Sequence, residues 1–357
     1  MTGFVRCLTL GAIAAPVLLS GCLDAGRDRM RADTSAATKT SPRTFVYVTN
    51  EVSNDVSVID ASTDSVIRTI AVGKRPRGIR LMPDGQSVLV AVSGSPRGGP
   101  GVDESKLAPA DRSADGIVVI DAASLAPIRR LPGGPDPEMF AISPDGRTVI
   151  VSNEDAAAAS LIDVANARVT ATVTVGGEPE GVAVSPDGRR ALVTSEALGQ
   201  VSVITLAPAA VTATIPVGKR PRAAIFSSDG ATAYVSAENG ALVSVVDVAS
   251  WKVTKEIPIS APGAKPMGLA LSAAGARLYV STGRGGSIAV VDIRTSAVIG
   301  SVQVGGRPWG IGLTPDDAKL YSADGPTNDV AVIDTRTLRV TKHIAVGKGP
   351  WGIAVSR

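Results

Sequence analysis

The sequence has few of the residues on which most catalytic and metal sites depend. Its 357 residues include 1 histidine, His343, and 2 cysteines, Cys7 and Cys22. With one histidine, and with both cysteines in the N-terminal 22 residues, a serine–histidine triad, a histidine-ligated zinc ion and a haem are all but excluded as expectations from the sequence. His343 lies in a run predicted as an outer strand, "LRVTKHIAV", where an exposed strand residue is expected. No cofactor is indicated.

Aromatic residues and net charge are also scarce. Aromatic side chains make up 3% of the chain, so a large core has to be built mainly from valine, alanine and isoleucine. The net charge is +3, which is too small to indicate nucleic-acid binding by itself.

The N-terminus has the layout of an export signal. The basic segment "MTGFVR" precedes "CLTLGAIAAPVLLS", an apolar run too short to span a bilayer as a helix. The stretch "LSGC" at 19–22 resembles a bacterial lipobox, in which Cys22 becomes acylated; the alternative is an ordinary signal peptide with a chance cysteine. We therefore predict a signal and lipobox over 1–22 and a flexible tether over 23–44. Lipid anchorage in the cell envelope follows, at the periplasmic face of the outer membrane if the cell is Gram-negative.

Residues 45–357 repeat a unit that is marked most regularly by a proline. The spacings between successive marker prolines are 61, 42, 42, 45, 42 and 42 residues, so the period is 42 with 19 extra residues in the first unit and 3 in the fourth. The markers are Pro76, Pro137, Pro179, Pro221, Pro266, Pro308 and Pro350. The near-identical strings "GKRPRG" at 73–78 and "GKRPRA" at 218–223 are then the same corner of units one and four.

Each unit contains four short β-rich runs, which in the third are "GVAVS", "RALVTS", "QVSVIT" and "VTATIPV". A period of about 40 residues with four strands is typical of propeller blades. The last unit stops after one strand, "WGIAVS", and the three missing strands stand at the other end as "FVYVTN", "DVSVIDA" and "SVIRTIAV". The sequence thus predicts an all-β, seven-bladed β-propeller over 45–357, closed by one C-terminal strand that joins three N-terminal strands.

The stretch "VYVTNEVSNDVSVIDASTDSVIRTIAVGKRPRGI" resembles the YVTN family of β-propeller repeats, over residues 45–357. The insertion "SGSPRGGPGVDESKLAPADRSADG" and the segment "LPGGPDPE" resemble more narrowly the group named for association with PQQ-dependent catabolism. That resemblance implies a periplasm in which quinoprotein dehydrogenases and cytochromes oxidise alcohols. It does not imply that this chain binds the quinone itself.

One mouth of the predicted channel collects the charged and aromatic residues of the repeats, because the proline corners and the loops between second and third strands share one face. The residues after the prolines are Arg77, Glu138, Glu180, Arg222, Met267, Trp309 and Trp351. The charged residues before them are Arg75, Asp136, Glu178, Arg220, Lys265 and Arg307. The loops between second and third strands add Glu51, Glu154, Glu196 and Glu238. Blades two and three are therefore acidic and lie between the basic corners of blades one and four.

Two interpretations of this face remain open. The arginines and carboxylates can simply neutralise one another at a rim, where such pairs contribute about 0–1 kcal/mol each, and the tryptophans can pack the innermost strands. Alternatively, the face is a charged, partly aromatic pocket at a channel mouth, a common ligand site. Arg80, four residues after Pro76, breaks a pattern of small residues, and we expect it to reach solvent at the rim rather than enter the channel.

The insertion in blade one, over 93–116, lies on the same face and is long for a connection between strands. Such a loop acts as a lid, a docking arm or a disordered excursion. Its charged residues are Arg97, Asp103, Glu104, Lys106 and Arg112. The pair Asp103 and Glu104 matches no calcium-loop spacing, so no metal is predicted there.

The leading functional hypothesis is a non-enzymatic, monomeric recognition module that presents this face to a periplasmic or membrane protein. A quinoprotein dehydrogenase or a cytochrome system is the partner that the resemblance suggests. The first alternative is a lactonase-like hydrolase in which Glu138, Glu154, Glu180 or Glu196 acts as base or metal ligand. The second is a single-stranded nucleic-acid binder that uses the arginines and tryptophans, against which the acidic sector argues.

Overall fold

In the computed structural model, which describes residues 43–98 and 102–356, each predicted repeat forms one four-stranded antiparallel sheet. The chain begins with the second, third and fourth strands of blade seven, which are β1 (Phe45–Asn50), β2 (Asp55–Asp60) and β3 (Ser65–Ala71). Blade one has β4 (Ile79–Leu81), β5 (Ser87–Val92), β6 (Gly116–Asp121) and β7 (Ala126–Leu131). Blade two has β8 (Pro137–Ile142), β9 (Thr148–Asn153), β10 (Ala158–Asp163) and β11 (Arg168–Thr174). Blade three has β12 (Pro179–Val184), β13 (Arg190–Ser195), β14 (Gln200–Leu206) and β15 (Ala209–Pro216).

The remaining blades continue the same order. Blade four has β16 (Pro221–Phe226), β17 (Thr232–Ala237), β18 (Leu242–Asp247) and β19 (Lys252–Pro258). Blade five has β20 (Leu269–Leu271), β21 (Arg277–Ser281), β22 (Ser287–Asp292) and β23 (Ala297–Gln303). Blade six has β24 (Pro308–Leu313), β25 (Lys319–Asp324), β26 (Asp329–Asp334) and β27 (Arg339–Ala345), and β28 (Pro350–Val355) ends the chain. Short 3-10 turns lie at Glu104–Lys106, Arg112–Ala114, Glu154–Ala156, Gly283–Gly285 and Gly325–Thr327.

The ring closes as the sequence predicts. Strand β28 pairs antiparallel with β1, with Val46 opposite Val355 and Val48 opposite Ile353, and blade seven has the order β28-β1-β2-β3. Because the last strand and the first three share one sheet, no blade edge is left open at the junction. The seven-bladed propeller with this closure is confirmed.

In blades one, two and three, the turn between the first and second strands has the sequence proline–aspartate–glycine. In blade two the hydroxyl of Ser143 donates to Asp145 Oδ1 over 2.6 Å, and the backbone N–H of Arg147 donates to the same oxygen over 3.0 Å. Gly146 has φ +71°, a left-handed value that glycine adopts without strain. These turns lie at the end of each blade opposite the proline corners.

The core lies between neighbouring blades and is built from β-branched residues. Second and third strands are buried on both faces, so they appear in the sequence as continuous apolar runs such as "DVSVID". Between blades six and seven, Val46 and Val48 pack against Val330 and Val332. Valine layers of this kind fill the interfaces, which explains how the ring is built with so few aromatic residues.

The N-terminal predictions lie outside the described residues. This holds for the signal and lipobox over 1–22, including Cys22, and for all but the last two residues of the tether over 23–44. Among the residues that the structure describes, no helix combines the length and the hydropathy that crossing a bilayer requires.

Candidate functional site

The proline corners bring the predicted residues to one mouth of the ring. The residue before the proline adopts a left-handed backbone in five blades, with φ +46° at Arg75, +49° at Asp136, +50° at Glu178, +57° at Arg220 and +66° at Gly349. The chain turns sharply there and enters the innermost strand. The residue after the proline therefore stands at the start of that strand, beside the channel opening.

In blade one, the basic corner joins carboxylates from the blades on both sides. Arg77 donates from Nε to Glu51 Oε1 of blade seven over 2.8 Å and from Nη1 to Glu138 Oε1 of blade two. Arg75 adds weaker contacts, with Nε 3.4 Å from Glu51 Oε1 and Nη2 3.8 Å from Glu138 Oε1. The corner thus holds three blades together electrostatically.

In blade four, the equivalent corner faces three glutamates. Arg222 donates from Nη1 to Glu196 Oε1, and its Nη2 lies 3.2 Å from Glu180 Oε1. Arg220 also donates to Glu196, and its Nε lies 3.4 Å from Glu238 Oε2. The corner of blade four is therefore paired with Glu180 and Glu196 of blade three and with Glu238 of its own blade.

Two tryptophans connect the basic corners across blades six and seven. The rings of Trp309 and Trp351 have centroids 5.7 Å apart and planes tilted by 32°. The guanidinium carbon of Arg307 lies 4.3 Å from the Trp309 centroid and that of Arg222 lies 5.5 Å from it, while Arg77 lies 5.9 Å from the Trp351 centroid. These distances fit cation–π contacts.

Exposure differs among the predicted apolar anchors of the mouth. Trp309 stays partly exposed, whereas Trp351 and Met267 are buried. Trp351 and Met267 therefore pack the start of the innermost strands, as one interpretation of the sequence expected. Trp309 is the aromatic residue that remains available to a ligand.

The acidic sector holds more carboxylates than its arginines neutralise. One oxygen each of Asp136, Glu138 and Glu154 lie within 4.8 Å of one another. Burial and the adjacent charge of Glu138 raise the pKa of Glu154 to about 9, and the same two causes raise the pKa of Asp136. Burial also opposes ionisation of Glu51, but Arg77 and Arg75 outweigh it and lower the Glu51 pKa. Glu154 is therefore a neutral carboxylic acid at pH 7, placed beside ionised Glu138.

Several buried polar atoms at the mouth lack a hydrogen-bond partner within residues 43–98 and 102–356. They comprise two acceptors and two donors: Glu138 Oε2, Glu238 Oε2, Arg222 Nε and Arg307 Nε. Leaving such groups unpaired costs about 1–3 kcal/mol each, so buried polar atoms normally have a partner, often water or a ligand. A polar ligand at this mouth would need both donors and acceptors.

A cavity of about 930 Å³ leads from this mouth along the ring axis. Its wall includes the residues four after the prolines, Arg80, Ala141, Ala183, Ile225, Ala270, Gly312 and Ala354. The expectation that Arg80 reaches solvent at the rim is thus wrong, because Arg80 occupies the same channel-lining ring as the alanines. Burial lowers the pKa of Arg80, and its Nη1 donates to the carbonyl of Ile79 over 2.8 Å.

The insertion of blade one is docked on the same mouth. Arg75 Nη1 donates to the carbonyl of Ser95 over 2.7 Å, and Lys74 Nζ lies 2.7 Å from Asp111 Oδ2. Arg112 donates from Nη1 to Ser95 Oγ over 3.0 Å and forms an ion pair with Asp155 of blade two. The sequence shows the charges of Lys74, Asp111 and Asp155 but no signal that would pair them.

The other charged residues of the insertion contribute less to this docking. Arg97 is exposed, with Nε 3.8 Å from Glu51 Oε2, and the exposed pair Asp103 and Lys106 is a local contact of 2.9 Å. The side chain of Glu104 lies outside the described part of the structure.

Two predicted residues stand apart from the central network. Glu178 is exposed and lines a second cavity of about 420 Å³ between blades three and four, whose wall also includes Leu198, Lys219 and two network residues, Glu196 and Arg220. Lys265 Nζ donates to Asn239 Oδ1 over 2.9 Å. The network of ion pairs at the mouth therefore includes fewer residues than the predicted binding face.

Comparisons with known proteins support the architecture. Residues 112–232 match the family model of YNCE-like beta-propellers, and residues 182–350 match that of the lactonase 7-bladed beta-propellers. No curated protein sequence matches the chain at a significant level.

Three similar solved structures illustrate the range of this fold. A functionally unknown protein from Desulfotomaculum acetoxidans is 15% identical with TM-score 0.74, covering 88% of this chain and 99% of its own. A candidate 6-phosphogluconolactonase from Bacteroides fragilis is 17% identical with TM-score 0.71, covering 90% and 99%. The hydrazine synthase of Kuenenia stuttgartiensis is 18% identical with TM-score 0.65, covering 78% and 89%. At these identities the likeness concerns the fold alone.

Proposed function

We propose that this propeller is a non-enzymatic recognition module whose mouth receives a polar segment of a protein partner. The observation that carries the proposal is a set of buried donor and acceptor atoms beside partly exposed Trp309 that lack a hydrogen-bond partner within the described residues, namely Glu238 Oε2, Arg222 Nε and Arg307 Nε. A peptide segment offers both N–H and C=O groups, so it can satisfy atoms of both kinds. Aromatic and arginine side chains are also the common anchors of protein interfaces.

The ion pairs of the mouth support this proposal by keeping the site preformed. Arg77 and Arg222 are already held by glutamates from adjacent blades, so a partner meets fixed groups and loses little free energy in ordering them. The docked insertion adds a second wall beside blade one.

The cellular location and the partner of the protein are proposed from its sequence. We infer that Cys22 carries a lipid anchor and that the propeller works as a monomer in the cell envelope, at the periplasmic face of the outer membrane in a Gram-negative cell. The resemblance to the group associated with PQQ-dependent catabolism favours a quinoprotein dehydrogenase or a cytochrome system as the partner.

Site-specific photo-crosslinking of the full chain in its native envelope tests the proposal. A photoreactive residue replaces Leu198, which is exposed beside the mouth, and in a matched control it replaces Ile128, which is equally exposed on the outer strand β7. We expect an adduct with one envelope protein from position 198 only, and its loss in a second variant carrying Trp309→Leu. Adducts of equal yield from both positions, or an adduct that survives Trp309→Leu in a folded protein, would contradict a mouth-directed partner.

Lactone hydrolysis is a second candidate, supported by two observations. Residues 182–350 match the lactonase family model, and the mouth places a neutral carboxylic acid, Glu154, beside ionised Glu138. Such a pair could act as general acid and base. A panel of lactones tests this candidate, which requires turnover by the wild type and its loss in Glu154→Gln. The excess of carboxylates makes single-stranded nucleic acid the weakest of the three ligand classes.

A further inference from the structure

The last residue of the second strand is polar in most blades. Blades seven and two show which hydrogen bonds its side chain makes. In blade seven, Asn50 Nδ2 donates over 2.6 Å to Oδ1 of Asp55, which lies directly opposite on β2. The same amide lies 2.9 Å from Ser57 Oγ. In blade two, Asn153 Oδ1 accepts from Ser160 Oγ over 2.7 Å, and its amide donates to the carbonyl of Gly133. A neutral amide thus pairs with a serine in both blades, although in blade seven Asn50 Oδ1 has no hydrogen-bond partner within the described residues.

Blade six also has a polar residue at the end of its second strand, but this residue and the serine of the third strand are both replaced. Asp324 ends β25 where Asn50 ends β1, and it lies directly opposite Asp329, the counterpart of Asp55. Ala331 stands where blades seven and two have serine. Two carboxyl groups therefore face each other where an amide meets a carboxylate in blade seven.

Asp324 is fully buried and incompletely paired. Its Oδ1 accepts from Ser322 Oγ over 3.0 Å, but its Oδ2 has no hydrogen-bond partner anywhere in the described residues. Gly306 covers it, and a Cβ on that glycine would lie 3.1 Å from the Asp324 Cβ. A buried carboxylate that lacks a donor and faces a second carboxylate is costly unless a cation balances the pair.

The chain's single histidine completes the group. His343 Nδ1 lies 3.1 Å from Asp329 Oδ2, and ligand atoms of Asp324, Asp329 and His343 all lie within 4.8 Å of one another. On the outer strand the equivalent residues of blades seven, two and three are Thr69, Thr172 and Thr214. Blade six therefore departs from its sister blades at three positions, and the three departures meet at one point.

We propose that Asp324, Asp329 and His343 bind a divalent transition-metal ion of the zinc class on blade six. One imidazole nitrogen and two carboxylate oxygens are ligands that zinc accepts, whereas calcium and magnesium take oxygen ligands. Zinc binds these atoms at about 2.0–2.2 Å, so ligand atoms around one ion stand roughly 3–3.5 Å apart and the group needs only a small contraction. The side chain of His343 is half exposed, which leaves an open position for water. The ion would tie β25, β26 and β27 together on the outer part of blade six, at the end of the blade that carries the mouth.

Zinc titration of the tag-free, chelator-stripped full chain tests the site, because its only histidine can be observed directly. We expect one equivalent of Zn²⁺ to shift the imidazole ¹⁵N resonances of His343 and to bind by calorimetry, with no such change for Mg²⁺ or Ca²⁺. Asp324→Asn rebuilds the arrangement of Asn50, and His343→Thr installs the residue of three sister blades. Both variants should fold as well as the wild type and bind Zn²⁺ at least about tenfold more weakly, since each loses a ligand.

Two outcomes would overturn the proposal. If the His343 resonances do not move with Zn²⁺, Asp324 and Asp329 instead share a proton. If Asp324→Asn retains wild-type affinity, the ion sits elsewhere, for example on the acidic group of the mouth. Neither outcome bears on the proposed partner, which is tested at Leu198 and Trp309.

Discussion

The two copies of the basic corner, at 73–78 and 218–223, share five of their six residues and the left-handed turn before the proline but differ in their surroundings. Arg75 and Arg220 both have left-handed φ values, +46° and +57°. The side chain of Arg75 is nevertheless 12% exposed and that of Arg220 is 41% exposed. The insertion of blade one accounts for this difference, because the carbonyl of Ser95 accepts from Arg75 and blade four has no such loop.

The second arginine of each corner shows the opposite trend. Arg222 is 8% exposed and faces Glu180, Glu196 and Glu238, whereas Arg77 is 17% exposed and faces Glu51 and Glu138. Identical local sequence therefore fixes where the guanidinium stands, and the neighbouring blades decide how much charge it must balance. The comparison predicts that the two corners respond unequally to the same substitution.

The largest expected effect is that of Arg222→Ala. Removing this guanidinium leaves buried glutamates without their main cation, which typically costs about 3–5 kcal/mol of the free energy of unfolding. Arg77→Ala should cost less, because Arg77 is more exposed and Arg75 still contacts both of its carboxylates. Urea denaturation of the two variants measures the difference.

Arg189→Ala serves as the control, since Arg189 is exposed on a turn at the opposite end of blade three and should change the stability by less than about 0.5 kcal/mol. Equal losses for Arg77→Ala and Arg222→Ala would mean that the number of facing carboxylates does not set the energy of a corner.

A smaller effect, which depends on pH, is expected from Glu154 beside the first corner. Its pKa is raised from 4.5 to about 9 in the folded state, so between these values the folded protein holds a proton that the unfolded chain releases. Stability contributed in this way falls as the pH rises from about 4.5 to about 9. Glu154→Gln should flatten that dependence and so gain stability relative to the wild type at high pH.

Unfolding midpoints of both proteins measured from pH 5 to pH 9 test this prediction. Glu178→Gln, at an exposed position, is the matched control. A wild type whose stability rises over this range, or a Glu154→Gln variant with the same slope as the wild type, would show that Glu154 is ionised at neutral pH. The acidic group beside the first corner would then contain no protonated carboxyl group at neutral pH.

Much of this geometry could be predicted because it depends on the repeat. The proline period gives the seven blades, the closure by β28 and the placement of Arg77, Arg222 and Trp309 at one mouth, since equivalent positions of a ring share one face. Such inferences need only the register of each unit and the handedness of its turns.

The contacts that break the repeat could not be predicted in the same way. Whether Arg80 enters the channel depends on the volume left by the equivalent residues of six other blades, four of which are alanines. The docking of Arg112 on Asp155 depends on how a long loop folds over its neighbour. The meeting of Asp324 with His343 did have a signal: an aspartate stands where blades seven and two have asparagine, and a histidine stands where blades seven, two and three have threonine. Only a position-by-position comparison of the blades would have shown it.

The smallest expected effect addresses the difference between Arg75 and Arg220 directly. Arg220→Ala should cost less than about 1 kcal/mol, because an arginine that is two-fifths exposed keeps much of its hydration when paired. Arg75→Ala should cost somewhat more, by about 1–2 kcal/mol, since it also removes the hydrogen bond to Ser95. If the insertion causes this difference, Arg112→Ala, which loosens the loop from Ser95 and Asp155, should reduce the cost of Arg75→Ala toward that of Arg220→Ala. A double-mutant cycle of Arg75 and Arg112 that shows additive losses would place the origin of the difference in the blades themselves rather than in the loop.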